Sequence, residues 1–252
     1  MPREYPRFTS SMNNNAIDGD VVWSPFKSIL LSSTYLVAVI GGYYTFSWSN
    51  FAVFLISTAV VLCFGHSLGM HRKLIHGSFE CPRWLEYCFV YLGSLVGLGG
   101  PFTMIYTHDL RDWAQRQPDC HDYFAHRKDF FLDAYWQLHC DIKLQNPPSI
   151  RYEERVANDR FYRFIERTVL LQQLIWIGVF YFFGGVDWVI WGVFVRVAVS
   201  VTGHWLIGYF AHRQGHRDWH VDGAGVQGYN INFCGLITFG ECWHNNHHAF
   251  PG

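Results

Sequence analysis

Four long apolar stretches constrain this chain more than any other feature. A helix needs about 20 residues to cross the hydrocarbon core of a bilayer. Residues 28–46 carry no charge, and residues 51–70 carry only His66, near their end. Residues 168–185 are uncharged, and residues 188–211 contain Arg196 and His204. A buried helix of a soluble protein can mimic one such stretch, but four in 252 residues form a membrane pattern. The links at 47–50 and 185–187 are too short for anything but helical hairpins, and neither holds Lys or Arg. Of 19 Lys and Arg, 13 lie between positions 72 and 167. By the positive-inside rule, the middle segment and both termini face the cytoplasm. The expected fold is therefore an all-α integral membrane protein. Four transmembrane helices form two hairpins, and a cytoplasmic helical cap carries the polar chemistry.

Residues 1–27 read as a flexible polar tail, and residues 28–252 as a single domain. No apolar run precedes Ile29, so no cleaved signal peptide is expected. Residues 84–106 are apolar but interrupted by Gly93, Gly97, Gly99, Gly100 and Pro101. They predict a helix along the membrane surface that stops at Gly-Gly-Pro. A fifth crossing there would put His108 and His76 on opposite faces. The charged segment 143–167 predicts a cap helix leading into the third span. A net charge of −1 leaves no broad basic face for nucleic acid. The seven Cys include no CxxC pair, and are expected to be reduced packing residues.

The chemistry-bearing residues are histidines. Neutral imidazole is the commonest protein ligand for first-row metals. His244, His247 and His248 stand at i, i+3 and i+4, on one face of a helix. His71 and His76 stand at i and i+5, about 140° apart on a regular helix, so they converge only where the helix ends or bends. His108 follows Gly99-Gly100-Pro101 closely. His204, Gly208 and His212 share one helix face.

These clusters resemble the membrane fatty acid desaturase family, nearest to its acyl-CoA and acyl-lipid delta-9 type. The resemblance runs from about residue 30 to residue 251. That family carries HxxxxH, HxxHH and HNxHH boxes around a non-haem di-iron centre. His71 and His76 match the first box within G-x-x-x-G-x-H-R-x-x-x-H-x-S-F. His244, His247 and His248 match the third in every position, followed by Phe250-Pro251. The second is partial, because Arg111 and Asp112 stand where the family has two His. Arg keeps its proton and cannot ligate. Asp112 reads either as a replacement ligand, with Arg111 as its charge partner, or as a surface ion pair. His212 takes the ligand position of the last span, and Gly208 takes the place of an Asn. His204, one turn earlier, reads either as a ligand filling that gap or as a buried structural His. His66 reads as a buried, hydrogen-bonded His, and His121 and His126 as polar cap residues. Asn230 and Asn232 fall in a stretch that contributes to the site wall in the family.

The resemblance implies an oxygen-dependent acyl desaturase with two iron ions, molecular oxygen as co-substrate and every His box on the cytoplasmic face. The acyl chain would be carried by CoA, acyl carrier protein or a lipid. No cytochrome b5 or ferredoxin segment is encoded here, so a separate electron donor of either type is expected. The family continues past its third box, which implies a further segment after Gly252. Two other functions fit parts of the pattern. One is a related di-iron hydroxylase or ketolase. The other is a non-catalytic protein binding lipid or metal, which the altered second box favours.

Overall fold

The computed structural model describes residues 7–11 and 13–251. In chain order the elements are β1 (Phe8–Thr9), β2 (Gly19–Trp23), α1 (Pro25–Tyr44) and α2 (Trp48–Val60), the last continuing as a π-helical stretch, Val61–Ile75. Then come α3 (Arg83–Ser94), α4 (Pro101–Gln115), α5 (Asp122–Ala125), α6 (Phe130–His139), β3 (Cys140–Leu144), β4 (Ser149–Ile150) and α7 (Glu154–Ala157). The chain ends with α8 (Arg160–Val189), a second π-helical stretch (Ile190–Val195), α9 (Arg196–Ala211) and α10 (His244–Ala249). They divide into two compact units. One comprises Ile29–Met104 and Arg160–His204; the other comprises the described residues up to Ser28, Ile105–Asp159 and the described residues from Trp205 onward.

Among the described residues, three helical runs are long and apolar enough to cross a membrane: Pro25–Tyr44, Trp48–Ile75 and Arg160–Ala211. The last is 52 residues long. Its backbone leaves helical geometry at Gly184 and at Gly185, whose φ of 63° with ψ of −157° suits only glycine. Two helices thus meet at the link expected from sequence. Ser47 caps α2 at the other link, its hydroxyl accepting from the Asn50 amide at 3.2 Å.

Within the first unit the π-helical stretch packs closely on α3. A Cβ at Gly65 would come within 2.4 Å of the Leu92–Gly93 backbone, so only glycine allows that approach. The helix α3, expected to run to Gly-Gly-Pro, ends at Ser94, and Pro101 opens α4, where its missing N–H is harmless. Glu166 caps that end, accepting from the amides of Phe102 at 2.8 Å and Thr103 at 3.3 Å. Arg196 is 2% exposed and donates to the carbonyls of Gly192 and Leu95 and to Gln173 Oε1. Carbonyls and an amide, not an acid, are therefore its partners.

The second unit departs most from expectation. β2 lies in the segment read as a flexible tail, yet it pairs antiparallel with β3 from Gly19↔Leu144 to Trp23↔Cys140. Val21, Val22 and Trp23 favour extended backbone, as does Ile142 opposite them. β1 pairs with β4. The expected cap helix at 143–167 is instead two strands, a one-turn helix and the start of α8, because Pro147-Pro148 bars a helix there. Trp113, Phe124, Leu110 and Val226 centre this unit's core.

Candidate metal centre

The third box folds as α10, only six residues long. So short a helix needs outside support, and asparagines supply it. Asn230 is buried, and its Oδ1 accepts from the Asn245 amide at 2.9 Å and the Asn246 amide at 3.4 Å, capping the helix from a distant loop. Asn245, fully buried, accepts from the amides of Asp218 and Trp219 and donates to the carbonyls of Trp219 and Gly228. Gly228 lies so close that a Cβ there would sit 2.7 Å from the His244 carbonyl oxygen and 2.8 Å from the His248 ring. At the other end, Arg116 donates to the His248 carbonyl at 2.9 Å.

On this scaffold His212, His244 and His248 converge. Nε2 of His244 lies 3.1 Å from Nε2 of His212 and 3.2 Å from Nε2 of His248. The His212 Nδ1 proton faces the Gln227 carbonyl at 3.4 Å, leaving Nε2 as the lone-pair nitrogen. A neutral ring has one N–H, so three nitrogens aimed at one point cannot all satisfy each other. Nitrogens at these spacings suit a shared metal about 2 Å from each. Burial, then the neighbouring His244 and His248, holds His212 well below the usual imidazole range; burial pushes His248 down to about 4. Both stay neutral and ligand-ready at neutral pH.

The second box lies on α4. His108 and His247 have ring centroids 5.8 Å apart, and Asp112 Oδ2 is 3.9 Å from His247 Nε2. Asp112 is 7% exposed, so it is not a surface charge. Behind His108, Nδ1 is 3.2 Å from Asp109 Oδ1, and Asp109 Oδ2 is 3.0 Å from Arg7. Asp109 is fully buried, and Arg7, 4% exposed, also pairs with Glu153 at 2.8 Å. Such a carboxylate fixes a ligating ring's tautomer and orientation. Burial acts to lower His108, but Asp112 and Asp109 outweigh it and raise it above its ordinary value.

Arg111 is not the charge partner of Asp112. It donates to His126 Nε2 and, at 2.7 Å, to Gln137 Oε1. His126 is 1% exposed, its Nδ1 2.9 Å from Asp133 Oδ1, which also accepts from Trp205. It is a buried network residue rather than a polar one of the cap. Its Nε2 lies 3.1 Å from where a Cβ at Gly208 would stand, so His126, not His204, fills that space.

In the first unit His71 and His76 have ring centroids 4.9 Å apart. The helix ends between them, at Ile75, and His76 is its C-terminal cap residue, as the spacing requires. In the π-helical stretch the His76 amide donates to the His71 carbonyl, five residues back, at 3.1 Å, and the wider turn carries i and i+5 onto one side. His204 is exposed, with its ring 5.0 Å from that of the buried His66.

Long apolar helices and histidines gathered with metal-ligand spacing define a helical protein with candidate membrane spans and a candidate metal site. Comparison with known proteins makes this specific: the chain belongs to the fatty acid desaturase family, whose profile matches residues 34–252. An acyl-CoA 5-desaturase of Anemone leveillei is 32% identical over 244 residues, 91% of this chain and 71% of that protein. A probable chloroplastic lipid desaturase of Arabidopsis thaliana is 31% identical, over 90% of this chain but 62% of the relative's own length. An sn-1 stearoyl-lipid 9-desaturase of Anabaena variabilis is 33% identical, over 84% of this chain and 77% of the relative.

Proposed function

We propose that this chain is an oxygen-dependent acyl desaturase, an oxidoreductase that introduces a double bond into a saturated chain borne by CoA or a lipid. The observation that carries this reading is the convergence of the three Nε2 atoms of His212, His244 and His248 in a member of this family. These residues would hold one iron. His108, His247 and Asp112 would contribute ligands for a second, and the first box by itself makes His71 and His76 candidate iron ligands. Bound iron supplies the oxidising power that an unactivated methylene requires, once dioxygen and electrons from a separate donor are provided.

The protein's own groups set the conditions. Low-lying His212 and His248 offer lone pairs without first losing a proton. Asp109 turns the far nitrogen of His108 toward the site. Asp112 adds a carboxylate, which suits harder and higher-valent ions. Four membrane crossings, with the break at Gly184-Gly185 as the second hairpin link, put the His boxes and both termini on the cytoplasmic face. His204 stays outside the ligand set.

The test is the fatty-acid profile of cells expressing the chain, with a His244→Ala control. New monounsaturated acyl chains that depend on His244 are expected. Hydroxylated acyl products, or a profile unchanged from the control, contradict the reading.

A further inference from the structure

Gln115, the last residue of α4, is fully buried, and its Oε1 is shielded from solvent with no hydrogen-bond partner. A buried carbonyl oxygen without a donor is uncommon in a folded protein and needs a reason. The orientation of the amide is fixed. Nε2 donates to the Phe124 carbonyl at 2.7 Å, and a flipped amide would set two oxygens against each other. The same Nε2 lies 3.1 Å from Nε2 of His212, so the Gln115 amide touches an atom of the candidate metal cluster. Three imidazoles alone leave a first-row metal short of the four or more ligands it takes. The His212 lone pair cannot serve both a metal and the Gln115 N–H. Metal binding would therefore unsettle this amide, while Oε1 already lacks a donor.

We propose that Gln115 supplies an oxygen contact to the metal held by His212, His244 and His248, through Oε1 directly or through one intervening water. This rests on the metal-centre reading above. It gives the second box a contributor seven residues beyond His108 and outside its histidine pattern.

The experiment uses the full chain in detergent, stripped with a chelator and titrated anaerobically with Co(II), whose visible absorption reports its ligands. Metal-free thermal unfolding is followed in parallel. Gln115→Leu should weaken Co(II) binding about 10- to 100-fold, the range for partners just outside the direct ligands. It should also shift the absorption bands while the metal-free protein unfolds near the native temperature. Gln115→Glu should bind at least as tightly as the native chain, with shifted bands. Native affinity and native bands in Gln115→Leu overturn the proposal. If that variant does not fold, unchanged bands in Gln115→Glu overturn it. A native chain that takes up no Co(II) overturns the metal-centre reading itself, which is distinct from a native chain that binds while its Gln115 variants do not differ.

Discussion

The second and third His boxes reach the same kind of chemistry by opposite means. The third keeps every histidine and is held by neutral groups: Asn230 on its helix end, Asn245 beneath it and Gly228 against its rings. The second has lost both adjacent histidines and is built from buried charge. Arg7 and Asp109 stand behind His108, and Arg111 leaves the ligand row for His126 and Asp133. Neutral amides fix backbone and leave the rings to burial, so the third-box histidine His248 is pulled down in pKa. Carboxylates fix rings directly, so His108 is pushed up. A motif can therefore lose ligands and keep its place, provided the substitutes are supported by new partners from elsewhere in the chain.

The contrast predicts a ranking of effects. Removing the central imidazole with His244→Ala should abolish metal binding at its cluster, since its Nε2 faces both neighbours. Metal analysis of the purified variant checks this, and full retention there would dissolve the contrast. Next comes the charge behind His108. Arg7→Ala leaves buried Asp109 with only the His108 ring to answer its charge, and breaking such a buried pair costs about 3–5 kcal/mol. Thermal unfolding should show that loss, and the joint change Arg7→Met with Asp109→Leu should restore much of it. A loss below about 1 kcal/mol for Arg7→Ala would mean that the second box does not depend on buried charge.

pH should separate the two boxes. A free imidazole titrates near 6.5, whereas buried His248 titrates at about 4. Between these values the unfolded chain binds a proton that the folded chain refuses. Stability of the metal-free protein therefore rises with pH across this window, and acidification toward 4 removes about 3 kcal/mol through His248 alone. His108, shifted upward, acts in the opposite sense: its contribution is full below 6.5 and is lost as pH rises through its folded value. Unfolding temperatures across pH should fall on both sides, with His248→Asn flattening the acid limb and His108→Asn the alkaline one. The smallest effect separates ligand from bystander. Asp112→Ala should lower iron affinity by about tenfold, at the low end for groups around a metal. His220→Ala, on an exposed side chain, should leave it unchanged. Equal results for the two would return Asp112 to the status of a structural charge.

What sequence made legible was local. The apolar spans, the Gly185 link and the third box depend on spacing along a single stretch, so pattern alone finds them. The rest depends on partners far apart in the chain. Arg7 meets Asp109 across 102 residues, Asn230 caps α10 from 15 residues away, and β2 pairs with a strand some 120 positions later. No period announces such contacts. His126 looked like a cap residue because its partners, Arg111 and Asp133, lie on two other helices. His71 and His76 converge where the helix ends, as their spacing requires, but the π-helical turn that carries i and i+5 to one side has no simple residue signature. Gln115 carries an uncharged side chain and fits no ligand motif, and only its burial and its orphaned oxygen mark it.

The central claim is that both boxes, intact and rebuilt, serve a two-iron centre. Iron bound per chain, measured on the detergent-purified native protein after anaerobic reconstitution, tests it most directly. Two irons are expected, falling to about one in His244→Ala. One iron or none in the native chain would contradict it and leave the rebuilt second box as structure without metal.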